Sequence, residues 1–162
     1  MRARYLALLL WLALAAISST AAARELRPFV SGSMGEIVAA RSGRPFILAL
    51  WSTTCTHCRE ELTLFGNIRR QHPGIDIVLV STDTPEDSVT IQATLSEFKL
   101  AQAEAWVFAD SFADRLRFEV DKKWHGELPR TYFFGPGEVR KAYSGKLPSS
   151  DVSQWIKNVS RP

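Results

Sequence analysis

The chain has 162 residues, with 20 basic and 17 acidic side chains and a formal net charge of +3. Arg2 and Arg4 belong to the leader described next; without them 18 basic residues face 17 acidic ones, so the basic isoelectric point says little about nucleic acid. No basic run interleaved with aromatics occurs, which argues against a nucleic-acid-binding surface, and no segment beyond the N-terminus is apolar enough to span a membrane.

The opening stretch "MRARYLALLLWLALAAISSTAAARELRPF" has a basic start, an apolar run from Tyr5 to Ile17, and the small residues Ala21-Ala22-Ala23. This is the pattern of a secretory signal peptide over residues 1–23, cut after Ala23. The alternative is an uncleaved anchor: the 19 residues between Arg4 and Arg24 carry no charge, against the ~20 a bilayer requires. Under either reading the folded part, residues 24–162, lies outside the cytoplasm, in a periplasm of bacterial type, and touches the membrane only if the leader is retained. Those 139 residues suffice for one domain with its own core.

Along that part, strand and helix signals alternate. Met34–Arg41 is a short helix candidate stopped by "SGRP". Phe46–Ser52 is an almost unbroken apolar run of strand length, as a strand covered on both faces requires. Thr56–His72 predicts a helix with Leu62, Phe65 and Ile68 on one side, and Gly66 suggests a bend. Ile75–Ser81 predicts a second buried strand; after the "TDTPED" turn, Asp87–Leu100 is helical, Ala105–Ala109 a short strand and Asp110–Val120 a helix. "RTYFF" and "EVRKAY" flank Gly135-Pro136-Gly137, a hairpin with its turn. "SSDVSQWIKNV" closes as a helix with Ser149 or Ser150 as N-cap. The expected class is α/β: a central mixed sheet flanked by helices, ending in a β-hairpin and a helix.

Both cysteines of the chain, Cys55 and Cys58, lie in "WSTTCTHCREEL" with only Thr56 and His57 between them. A structural staple would be an ordinary use of two cysteines in an exported protein. The entropic gain of a disulfide grows with the loop it closes, however, and this loop is close to the least rewarding. The spacing offers instead two thiols that exchange electrons with little backbone movement. At a strand-to-helix junction, the unpaired N–H groups of the first turn favour thiolate over thiol. Cys55, outermost, is therefore expected as the nucleophile, and Cys58, one turn inside, as the thiol that resolves the mixed disulfide. Haem attachment would need His after the second cysteine, where Arg59 stands, and structural zinc would need further ligands that His72 and His125 are poorly spaced to supply. A peroxiredoxin pattern would place Pro at the position of Leu48.

With "RPFILALWSTTCTHCREEL" and the later "GELPRTYFFGPGEVRKAYSG", the chain resembles the thioredoxin-fold, exported thiol–disulfide oxidoreductases of the TlpA/ResA/DsbE group, from about Arg27 to the C-terminus. The resemblance implies an enzyme that exchanges a Cys55–Cys58 disulfide with exported cysteine-containing proteins, needs no cofactor or metal, and is served by a further redox partner. It also implies that Pro129 is the cis-proline facing the cysteines, with Leu128 offering backbone groups to an extended substrate; an ordinary strand-edge proline is the other reading. Glu61, three residues after Cys58, either assists proton movement at the buried thiol, as in that group, or simply favours the helix dipole. The buried aspartate of thioredoxin would align with Ala49 and is missing, which raises the demand on Glu61. Thr54 stands where many relatives carry Trp, leaving Trp51 as a candidate aromatic wall for substrate.

Thr56 and His57 occupy the tuning positions between the cysteines. His57 can stabilise the Cys55 thiolate and make the pair more oxidising, or stand by in solvent. The likeness as a whole points to a TlpA-like reductase, whereas a His here is typical of DsbA-like oxidants. A rival from another class is a Sco-like copper-binding assembly module, although those relatives carry three residues between their cysteines.

Overall fold

The computed structural model describes residues 24–135 and 140–160. The expected signal peptide or anchor at 1–23 lies outside them, as do Pro136 and Gly137 of the expected turn.

Phe46–Trp51 forms β2, and all six of its residues are buried. It is the middle of a sheet ordered β1-β4-β3-β2-β5-β6. The other strands are β1 (Leu26–Phe29), β3 (Asp76–Ser81), β4 (Glu104–Phe108), β5 (Arg130–Phe134) and β6 (Arg140–Ser144). From β1 through β4 and β3 to β2 each strand runs parallel to the next, while β5 pairs antiparallel with β2 and with β6. The fold class expected from sequence, a mixed sheet flanked by helices, is the one observed.

The unbroken apolar run of β2 follows from helices on both faces. Ile47, Ala49 and Trp51 point into one core with Cys58, Leu62, Phe65 and Ile68 of α2 (Thr56–Gln71), Ile91 and Leu95 of α3 (Ser88–Glu97), and Val152 and Ile156 of α5 (Ser149–Val159). Phe46, Leu48 and Leu50 point into the other, against Met34 and Ile37 of α1 (Ser33–Ala39) and Leu116 and Val120 of α4 (Ala113–Val120). A strand with period-two side chains and two dry faces has no use for polar residues.

Several expectations are corrected. β1 was not anticipated; "LRPF" carries Arg27 and Pro28, and proline is tolerated here because the strand lies at the sheet edge, paired only with β4. The helix after β3 begins with a 3-10 turn at Pro85–Asp87 and ends before Lys99, whose φ of 62° terminates it. The helix expected from Asp110 starts at Ala113, because the Asp110 carboxylate accepts the Phe112 N–H at 2.9 Å and holds a turn there. Neither Ser149 nor Ser150 caps α5. Pro148 takes the N-cap, its extended backbone directing its carbonyl to the N–H groups of Asp151 and Val152 at 3.0 and 3.3 Å.

Gly66 does not break α2, which runs on to Gln71. A Cβ at Gly66 would stand 2.2 Å from the Phe98 carbonyl oxygen, so the glycine admits the end of α3 against α2.

Candidate active site

α2 begins where β2 ends, with Cys55 as its N-cap. The Cys55 sulfur accepts the Cys58 N–H at 3.1 Å, in the place a serine or aspartate oxygen takes in ordinary caps. Cys55 and Cys58 form a disulfide. Cys55 is half-buried, and Cys58 is wholly buried among the residues that pack α2 on the sheet. Cys55 is thus partly open at the positive end of a 16-residue helix and Cys58 is not. Thr56 and His57 are exposed in the first turn. The His57 ring makes no hydrogen bond among the described residues. The carboxyl of Glu60 is held below its ordinary range chiefly by a hydrogen bond and charge from Lys146, and in smaller part by His57.

Glu61 is 4 % exposed. Its Oε2 accepts the Thr131 hydroxyl of β5 at 3.0 Å, while Oε1 has no hydrogen-bond partner among the described residues. Burial pushes its pKa from 4.5 up to about 7; the Thr131 hydroxyl opposes this, as does the Leu147 amide, which acts on the carboxyl without completing a well-formed hydrogen bond. Thr131 pairs across the sheet with Ala49, the position aligned above with the buried aspartate of thioredoxin. A buried carboxyl on α2 thus reaches the cross-strand partner of that position.

The Leu128–Pro129 peptide bond is cis. Leu128 is half-buried and touches both cores, including the one that holds Cys58 and borders Cys55. Its backbone N–H and C=O make no hydrogen bond to another described residue, whereas the Pro129 carbonyl accepts the Gly145 N–H at 2.9 Å. Trp51 corrects the expectation placed on it. It is 3 % exposed and belongs to the same buried core as Cys58, so it lines the interior and not a substrate-facing surface. The reason is its position: it is the last residue of β2, on the face that α2 covers. His125 is exposed in the loop leading to Pro129, with its backbone amide bound to Glu127 at 3.1 Å; His72 is the exposed C-cap of α2.

Sequence reasoning missed Asp83. Read as part of a turn, it reaches the segment before Cys55: its carboxylate accepts the Ser52 hydroxyl at 2.6 Å and the Thr53 N–H at 2.8 Å. The available signal was that Asp83 follows β3, the strand beside β2. Among the described residues no group of three or more His, Cys, Asp or Glu is placed to hold a metal ion, and no helix is long and apolar enough to cross a membrane.

The sheet order, the redox pair at the head of α2 and the position of Pro129 are those of a thioredoxin fold. Among solved structures the chain is similar to a secreted Mycobacterium tuberculosis disulfide oxidoreductase homologous to Escherichia coli DsbE, at 17% identity and a TM-score of 0.57 over 74% of this chain and 85% of that one. It is similar also to the thioredoxin domain of a thiol-disulfide oxidoreductase from Bacteroides vulgatus, at 17% identity and a TM-score of 0.58 over 76% and 84% of the two chains. StoA from Bacillus subtilis matches at 20% identity and a TM-score of 0.51 over 71% and 84%. No family model and no curated protein matches the chain. At such identities the likeness establishes the fold alone.

Proposed function

We propose that the protein is a thiol–disulfide oxidoreductase acting outside the cytoplasm on exported cysteine-containing proteins, in the reductive direction. The observation that carries this reading is the asymmetry of the pair: Cys55 is half-buried at the N-terminus of α2, while Cys58 is wholly buried, with the buried Glu61 three residues further along the same helix. In the dithiol state the Cys55 thiolate attacks one sulfur of a substrate disulfide, forming a mixed disulfide and expelling the other substrate sulfur as thiolate. Glu61, on the same face of α2, takes the proton from Cys58. Cys58 then attacks the Cys55 sulfur, closing the Cys55–Cys58 disulfide and releasing the second substrate thiolate. Two electrons have passed to the substrate, and a dithiol partner must return them. Leu128 offers its free backbone groups to the extended substrate segment, and Pro129 faces the sulfurs.

His57 tunes the pair from the first turn. A hydrogen bond or positive charge from it to a Cys55 thiolate would make the pair more oxidising, so its contribution runs against the reductive direction proposed for the site as a whole. The test is equilibration of the Cys55–Cys58 pair in glutathione buffers, with differential alkylation of the reduced form. The expected potential lies below about −200 mV, and Cys55 is labelled much faster than Cys58. A potential near the ~−120 mV of DsbA would reverse the direction. Failure to exchange at all, or equal labelling of the two thiols, would remove the activity.

A further inference from the structure

We propose that Asp83 is a positioning residue of the redox site: its carboxylate fixes the Ser52–Thr54 segment and so sets where the Cys55 sulfur stands against the first turn of α2. This rests on the function just proposed. β2 and β3 run parallel with Trp51 beside Ser81, so the chain leaving β3 passes next to the chain leaving β2. Asp83 lies on the first and reaches across to the second. Oδ1 accepts the hydroxyls of Ser52 and Thr53 at 2.6 and 3.2 Å; Oδ2 accepts the Thr53 N–H at 2.8 Å and the Ser81 hydroxyl at 2.6 Å. The Asp83 N–H returns to the Ser81 hydroxyl oxygen at 3.1 Å.

Ser52 relays this hold. Its hydroxyl oxygen accepts the Thr54 N–H at 3.2 Å and lies 3.0 Å from the Thr54 hydroxyl, while its carbonyl accepts the Cys55 N–H at 3.2 Å. Each amide from Thr53 to Cys55 is therefore fixed, either by Asp83 or by the serine that Asp83 holds. A turn-capping aspartate bonds within its own loop; this one bonds residues 30 and 31 positions earlier in the chain. Bonds to an ionised carboxylate are shorter and stronger than neutral ones, which suits a clamp that must not yield as the adjacent disulfide opens and closes. The stabilisation a helix terminus gives an anion fades within one turn, so a small displacement of the sulfur changes its acidity.

The experiment is the pH profile of Cys55 alkylation in the reduced protein, for the wild type, Asp83→Ala and Asp83→Asn, with the Tm of each oxidised form. Asp83→Ala is expected to raise the apparent pKa of Cys55 and slow its alkylation near neutral pH by about tenfold, short of the ~100-fold that a 1 Å misplacement can cost. Asp83→Asn recovers most of the loss, because its oxygen can take the Thr53 N–H while its NH2 donates to the Ser52 and Thr53 hydroxyls. If Asp83 acted through its charge alone, both variants would lower the thiol pKa by removing a neighbouring anion. That sign would overturn the proposal. So would a fall in Tm with the profile unmoved, the signature of a merely structural contact. Should Asp83→Ala fail to fold, Ser52→Ala must move the profile in the same direction, and an unmoved profile there sinks the idea. Alkylation needs no redox partner, so a wild-type protein that does not exchange with glutathione would defeat the proposed function while the Asp83 profile is still read on its own.

Discussion

At Glu61 a carboxyl of ordinary pKa 4.5 is carried to about 7, because burial penalises the anion more than the Thr131 hydroxyl supports it. A proton acceptor that titrates near neutrality beneath a buried thiol is matched to the task proposed for it. Resolution of a mixed disulfide by Cys58 should therefore speed up as pH rises through about 7 in the wild type. Glu61→Gln should lose that inflection and resolve on the order of tenfold more slowly, with little change in the redox potential. Stopped-flow measurement of the resolving step against pH decides this, and an unchanged inflection in the variant would exclude Glu61 as its source. The placement of these groups was largely legible in the sequence, because Cys55, Cys58 and Glu61 are set by local helical spacing. Asp83 was not, since only the register of two adjacent parallel strands brings it to Ser52. Trp51 was misjudged for a related reason: a strand-end aromatic looks exposed until the helix covering that face is in place.

The elements themselves followed from apolar runs and periodicity, and their failures were local. β2 and β3 could be read because strands with two covered faces are continuously apolar; β1, four residues long with Arg27 and Pro28 inside it, gives no such signal. Start and stop residues were displaced wherever a side chain captured the backbone first, as Asp110 does before α4. Gly66, which on propensity alone suggests a bend, is the point where α2 meets the end of α3. Replacement by alanine would ordinarily gain about 1 kcal/mol of helix propensity. Here the new methyl meets the Phe98 carbonyl, and backbone yields little. Gly66→Ala should therefore lower stability by ~1–3 kcal/mol in denaturant unfolding, and a stabilised variant would show that the two helices are not held this close.

For the whole molecule, two carboxyls bend the pH dependence of stability in opposite senses. The folded pKa of Glu61, about 7, lies above its ordinary 4.5, so the stability of its neutral form is complete below about 4.5 and lost as pH rises through 7. Asp121 is the reverse. Burial opposes its ionisation, but the Lys123 amide, Arg130, Arg140 and the Tyr132 hydroxyl together hold it at about 2, so its contribution is present above 3.8 and lost as pH falls through 2. The oxidised protein should be most stable near pH 4–5 as far as these two groups decide it, losing about 3 kcal/mol or less from Glu61 by pH 9. Denaturant midpoints of wild type and Glu61→Gln at pH 5 and pH 9 check this: parallel losses in the two would remove Glu61 from the account. The central place of β2 has a consequence in time as well as in space. Its parallel partner β3 follows closely in the chain, but its antiparallel partner β5 begins only at Arg130, and Thr131 and Leu147, which close over Glu61, come with or after it. A chain emerging N-terminus first therefore presents both cysteines, with one edge of β2 still bare, until its last fifth arrives. During that interval Glu61 still lacks Thr131 and Leu147, so its carboxyl meets the partners that hold it only once the last elements are in place.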